Sequence, residues 1–339
     1  VILGFGLGSV DQPQLFDYTD IGGPPHALPA RRINPYLVDA ADVLIPSRRQ
    51  PICDVPHIVF GSMPNDGGHL LLTAEERNAL LQDEPQAEPW LRRFMGAREF
   101  LNGGERWCLW LQDLPPGDLK KLPRVRARVE AVAQHRASSN RAAPQKLAKT
   151  PTFFGEIRQP SQQYLMIPSV SSERREFAPV GFQSSDVIAS NLCLIVPNAA
   201  LFHFGVVQSS IHMGWMRTVC GRLKSDFRYT NEIVYNNFPW PEPNDKQRTA
   251  IESAAQAVLD ARARFPEATL ADLYDPLSMP PALRKAHEQL DRAVDAAYSR
   301  RKFEGDADRV AFLFERYQEI VSLLPKQPTK TKRRPKSDT

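Results

Sequence analysis

The sequence has no apolar run approaching the roughly 20 residues needed to cross a bilayer, which excludes a helical membrane protein. Cysteine is scarce. Cys53, Cys108, Cys193 and Cys220 are scattered and form no C-x-x-C pair, so neither a disulfide framework nor a zinc site is indicated, and a reducing cytoplasm fits best. An initiator Met and any signal-peptide pattern are missing too. The opening Val1-Ile2-Leu3-Gly4-Phe5-Gly6 reads as the middle of a buried strand, so the chain is expected to be part of a longer protein. There is no internal repeat at a fixed period. Enzymatic signatures fail their context tests. Gly4-Phe5-Gly6-Leu7-Gly8 has no following helix and no acidic residue about 20 positions beyond a second strand, as a dinucleotide or S-adenosylmethionine loop requires. Ile33-Asn34-Pro35-Tyr36 lacks the second proline of the loop that holds an exocyclic amine in amino-methyltransferases, and reads as a turn into Leu37 to Leu44. His203 and His212, placed on one helix from Ala199 to Cys220, are about 180° out of phase and cannot share a metal ion. Neither a Ser-His-Asp nor a Cys-His pairing has local support.

What remains is a chain of 339 residues with 42 % hydrophobic and 24 % charged content, the composition of a globular protein long enough for two compact domains. Most of its thirty prolines fall in the first 240 residues, where elements should be short and loops long. Strands are predicted at Ile2–Leu7, His57–Gly61, Arg106–Leu111, Gln163–Ile167, Val187–Val196 and Glu232–Val234. Helices are predicted at Thr73–Gln82, opened by a Thr73/Glu76 capping box, and at Pro89–Met95, Leu122–His135 and Ala199–Cys220. Beyond residue 244 three amphipathic helices follow, Asp245–Phe265, Pro281–Lys302 and Asp306–Leu324. Strands and helices do not alternate regularly, so the fold class is α+β: a mixed region of short strands and helices, followed by a small all-α helical domain.

The net charge of +4 is unevenly spread. From Arg124 to Lys149 seven basic residues, among them Arg124 and Arg128, face the single acid Glu130, and the tail from Lys326 is also basic. Concentrated positive charge suits a polyanion, with a solvated helix face and a disordered tail as the plain alternatives. The most informative segment is Gly221-Arg222-Leu223-Lys224-Ser225-Asp226-Phe227-Arg228-Tyr229. If it is extended, period-two alternation points Lys224, Asp226 and Arg228 to one face, with Leu223, Phe227 and Tyr229 among the anchors. Lys and Arg donate to guanine in the DNA major groove and a carboxylate accepts from the cytosine amino group. A Lys224/Asp226 pair thus suits the two halves of one G·C pair, leaving Arg228 for another. Ser171 and Ser172, in the loop Pro168 to Arg175, combine small hydroxyls that reach base edges with an Arg174/Arg175 pair for phosphates. Arg217 and Arg222 are further phosphate-contact candidates, while His212, Met213, Trp215 and Met216 read as a packed helix face, and Phe153, Phe154 and Tyr164 as core.

Taken in order, Ile33 to Ala40, Phe153 to Glu156, Val170 to Arg175, Trp215 to Arg217, Gly221 to Tyr229 and Val234 to Pro241 resemble the C-terminal part of the MmeI-like (Type IIL) adenine-specific DNA methyltransferases. Leu283 to His287 with Asp291 to Tyr298 resembles the helical C-terminal domain of that family. The resemblance implies a remnant of an upstream methyltransferase domain or connector at 1–30. It further implies a target recognition domain at 31–240, a helical domain at 245–324 and a disordered tail at 325–339. It also implies that double-stranded DNA is the partner, and that the positions of Lys224, Asp226 and Arg228 belong to the family's base readers. A preceding methyltransferase domain of the same polypeptide would use S-adenosylmethionine to modify adenine N6 in a bacterial cytoplasm. The family's catalytic loops and any nuclease are missing from this chain, so it is expected to bind DNA without catalysis, and without a cofactor or metal of its own. The competing readings are a free-standing nucleic-acid-binding regulator and a hydrolase or transferase built on His203, His212 or Cys220.

Overall fold

The structure, a computed structural model, describes residues 3–4, 12–18 and 22–323. Apart from Leu3 and Gly4, the expected strand Ile2–Leu7 lies outside these residues, as does the basic tail. Helices and sheets are both present, with helices alone after residue 244, which is the expected α+β arrangement. No helix among the described residues is long and apolar enough to cross a membrane.

The centre is a four-stranded antiparallel sheet in the order Val59–Phe60, Cys193–Pro197, Tyr164–Pro168, Gly181–Gln183. Its two middle strands are almost wholly buried because both faces are covered, which explains their unbroken apolar runs. Leu165, Ile167, Leu194 and Val196 enter the main core, while Tyr164, Met166, Cys193 and Ile195 alternate onto the opposite face against Phe100 and Ala189. A second sheet runs Val187–Ala189, Leu91–Met95, Trp107–Leu109, Leu71–Leu72, its first pair parallel. With the helices Ala74–Asp83 and Pro123–Ala137 it encloses a separate core of Leu70, Leu80, Leu109, Val125, Val132 and neighbours. The capping box at Thr73 and Glu76 forms as expected.

The three C-terminal helices form as the periodicity predicts, at Asp245–Ala263, Pro281–Tyr298 and Asp306–Leu323. They do not build a core of their own. Ile251, Leu290, Val310 and Phe314 share one continuous core with Leu165, Phe204, Trp215 and Phe238. Close approach needs glycine at two points: a Cβ on Gly205 would stand 3.0 Å from Ile251 and 3.2 Å from Ala255, and one on Gly214 would stand 3.2 Å from Val310. Arg262 fastens the same junction, donating to Val180 O, Gln208 Oε1 and Tyr274 Oη. The final helices and the central sheet thus share one core, while the 70–132 lobe keeps another.

Four predicted elements are corrected. Ala199–Cys220 is two helices, Leu201–Gln208 and Ser210–Val219, because the half-buried Asp291 carboxylate accepts from both the N–H and the hydroxyl of Ser210. Val187–Val196 is two strands in different sheets, broken at Ser190, whose Oγ accepts from Leu192 N–H. Pro89–Met95 ends a 3-10 turn (Pro85–Trp90) and continues as the strand Leu91–Met95, held by pairing on both sides. Glu232–Val234 lies in a π-helical turn, Asn231–Tyr235, whose Glu232 and Ile233 carbonyls are taken by the buried Asn237 side chain.

Candidate nucleic-acid interface

The segment Gly221 to Tyr229 is a β-hairpin. Gly221–Leu223 pairs antiparallel with Asp226–Arg228, and the two-residue loop Lys224-Ser225 joins them. Lys224 has φ 57°, a left-handed conformation unusual for a residue with a Cβ, and it sits at the tip. The single alternating run of three charged residues is therefore corrected: Asp226 and Arg228 share one strand face, and Lys224 stands at the turn between the strands. Phe227 and Tyr229 anchor the hairpin, at 4 % and 2 % exposure, but Leu223 is 54 % exposed and anchors nothing. Arg222 lies across the hairpin with its guanidinium 4.0 Å from the Phe227 ring centre and donates to Ser225 O, which stiffens the tip.

A third strand, Val170–Ser171, pairs with Asp226–Arg228 and brings the Ser172 to Arg175 loop to the hairpin. Asp226 Oδ1 accepts from Glu173 N–H at 3.3 Å. Ser172 remains half-exposed, and its hydroxyl accepts from Arg174 N–H. Arg174 is exposed. Arg175 is half-buried, and that burial makes its proton easier to lose, opposed by the nearby Asp275 and Asp226. The expectation for Ser171 is corrected: it is 4 % exposed and its hydroxyl faces the interior. A base edge cannot reach it.

Three of the arginines expected at phosphates are committed elsewhere. Arg217 donates to Asp306 Oδ2 at 2.9 Å and to the carbonyls of Arg175 and Glu176, so it ties the Ser172 to Arg175 loop to the last helix. Arg128 reaches Glu76 and the carbonyls of His69 and Leu71, and Arg124 pairs with Asp83 at 2.7 Å. Both belong to the separate lobe and not to the hairpin surface. An apolar residue not singled out in the sequence, Leu192, stands nearby and is 62 % exposed. Its carbonyl accepts from the N–H and hydroxyl of Ser169, and Ser169 O accepts from Tyr229 N–H, which sets Leu192 beside the hairpin. Only a large apolar side chain left in solvent marks it, a signal invisible before folding.

The residues proposed for hydrolysis do not assemble. His203 Nδ1 accepts from Ala200 N–H, and burial beside Arg248 takes the ring down to about 4. His212 is enclosed, with burial taking it down to about 3, and its Nε2 meets Tyr229 Oη at 2.9 Å. Burial pushes the Cys220 thiol up, away from nucleophilic character. A groove of about 750 Å³ lies on the lobe, lined by Thr73, Glu76, Arg98, Glu99, Glu105 and Arg106. Its lining holds three carboxylates and two guanidinium groups, and no aromatic ring on which an adenine could stack.

Residues 39–242 match the family model of the MmeI target recognition domain, and residues 243–325 that of the MmeI C-terminal domain. Among curated proteins, DNA methyltransferase A of Bacillus subtilis (strain 168) is 40 % identical over 289 residues, covering 85 % of this chain and 33 % of that protein. Among solved structures, the Type IIL restriction-modification enzyme MmeI in complex with DNA superposes with a TM-score of 0.87 at 44 % identity, covering 94 % of this chain and 42 % of that one. The chain thus spans less than half the length of these relatives. It belongs to the MmeI family, of which it carries the target recognition and C-terminal domains.

Proposed function

We propose that this chain is the sequence-reading part of a DNA methyltransferase of restriction-modification type, and that it binds double-stranded DNA through the hairpin surface. The observation that carries this reading is the combination at that surface. Lys224, Asp226 and Arg228 project from a hairpin that Phe227 and the adjoining Tyr229 anchor in the core, so the readers are held on a rigid base. Lys224 offers donors to guanine and Asp226 an acceptor to the cytosine amino group, with Arg228 free for a second pair. Arg174 and Arg222 border this surface and suit phosphates. In support, the relative MmeI was solved in complex with DNA.

Methyl transfer belongs, in this proposal, to a preceding domain of the same polypeptide, which supplies S-adenosylmethionine as methyl donor and acts on adenine N6 in a bacterial cytoplasm. The present chain places the duplex and selects the site, without a catalytic group of its own. Sequencing modified bases in a host that expresses the intact gene tests this directly. A single asymmetric motif carrying methyladenine is the expected result. Unmodified DNA together with sequence-specific duplex binding would instead make the chain a regulator.

A further inference from the structure

A path of backbone hydrogen bonds leads from the hairpin across the molecule. Tyr229 N–H donates to Ser169 O, Ser169 N–H to Leu192 O, Asn191 N–H to Ser62 O and Met63 N–H to Glu156 O. Next to Glu156, a Cβ on Gly155 would stand 3.3 Å from the Leu147 side chain, at the end of the short helix Ala142–Leu147.

Three cations with no acid partner wait at the far end. Arg141, Lys146 and Lys149 are exposed, and none forms an ion pair among the described residues, whereas Arg124, Arg126 and Arg128 on the preceding helix are all paired. No acidic residue occurs between Glu130 and Glu156 to neutralise them. Their backbone is fixed from inside. Arg136, 0 % exposed, donates to the carbonyls of Leu147 and Thr150, and to those of Pro64, Asn65 and Phe153. One buried guanidinium thus locks the cationic segment to the loop that leads back towards the hairpin.

We propose that Arg141, Lys146 and Lys149 form a second, sequence-blind grip on the DNA backbone, apart from the hairpin. The grip rests on the DNA-reading function proposed above and adds a separate contact to it. Phosphate contacts of this kind release condensed counterions and add affinity for every sequence alike, without altering which bases are preferred.

The test is titration of the 339-residue chain against a mixed-sequence duplex of about 30 base pairs over a range of salt. Each lost phosphate contact lowers the slope of log affinity against log salt by about 0.9. The triple variant R141Q/K146Q/K149Q is therefore expected to lower it by 2 to 3, as about 0.9 per contact implies. The single variant R124Q, which removes an arginine already paired with Asp83, is expected to leave the slope unchanged. An unaltered slope in a triple variant that keeps the wild-type circular dichroism spectrum overturns the grip and leaves the hairpin reading standing. Absence of duplex binding by the wild-type chain at low salt overturns both.

Discussion

Asp226 Oδ1 accepts a hydrogen bond from the backbone N–H of Glu173, so the neighbouring loop holds one of the two carboxylate oxygens at the hairpin. A carboxylate fixed in this way presents an acceptor of constant direction. Exchanging the charges, K224D/D226K, is expected to switch the preferred base pair at one position of the site from G·C to C·G. Each good base contact contributes about 1 to 3 kcal/mol of discrimination. The readout is the methylated motif of the intact protein before and after substitution, and an unchanged motif refutes the assignment.

Lys224 sits at the hairpin tip with φ 57°, where a side chain is strained and glycine is not. K224G is expected to leave the melting temperature equal or higher while base discrimination at its position falls at least tenfold, the factor equal to about 1.4 kcal/mol and so within the range of one base contact. A lowered melting temperature would show that the lysine supports the fold instead.

Removing the buried guanidinium with R136M takes a donor from five carbonyls, of which those of Asn65 and Phe153 have no backbone donor among the described residues to replace it. The expected loss is about 3 to 5 kcal/mol, the magnitude seen when a buried charge network loses a member. Chemical denaturation measures it, and a loss below 1 kcal/mol, about one ordinary hydrogen bond, would contradict the role of Arg136 as a lock.

Stability should fall on acidification. Burial depresses His212 to about 3, and burial with Arg262 and Arg284 nearby holds His287 well below the usual histidine range. Unfolded histidine takes up a proton near pH 6.5, so this contribution is complete above that value and is lost as pH falls, by up to about 1.4 kcal/mol per pH unit per group. Asp291 opposes them. Burial raises it to about 6, so its contribution is present below about 3.8 and is lost as pH rises through 6. His203, depressed to about 4, acts in the same direction as His212 and His287, so between pH 6 and 4 the balance is three histidines against one aspartate, and the urea midpoint is expected to decrease from pH 7 to pH 5. A midpoint that increases over that range would contradict the balance.

The last three helices were readable because their apolar positions recur at helical spacing, and Thr73 with Glu76 announced a helix start that the structure contains. The hairpin was not. Its turn is Lys224-Ser225, without the Asn-Gly or Asp-Gly signal that marks a two-residue loop, so the charged residues looked like one strand. The break at Ser209 depends on Asp291, 81 residues beyond Ser210, and no local pattern contains that contact. The basic stretch from Arg124 to Lys149 was visible as charge, but which cations are paired depends on Glu76 and Asp83 in another helix. Local spacing fixes periodicity, and long-range partners decide exposure.

The shared core of the recognition region and the final helices has a consequence for how such proteins diversify. Gly205 and Gly214 admit the last helices closely enough that neither side keeps a complementary surface without the other. A recombination event that transplanted only residues 39–242 would bring a new hairpin together with a mismatched seat beneath it. An exchange that keeps this core intact therefore has to move residues 39–242 and 243–325 together.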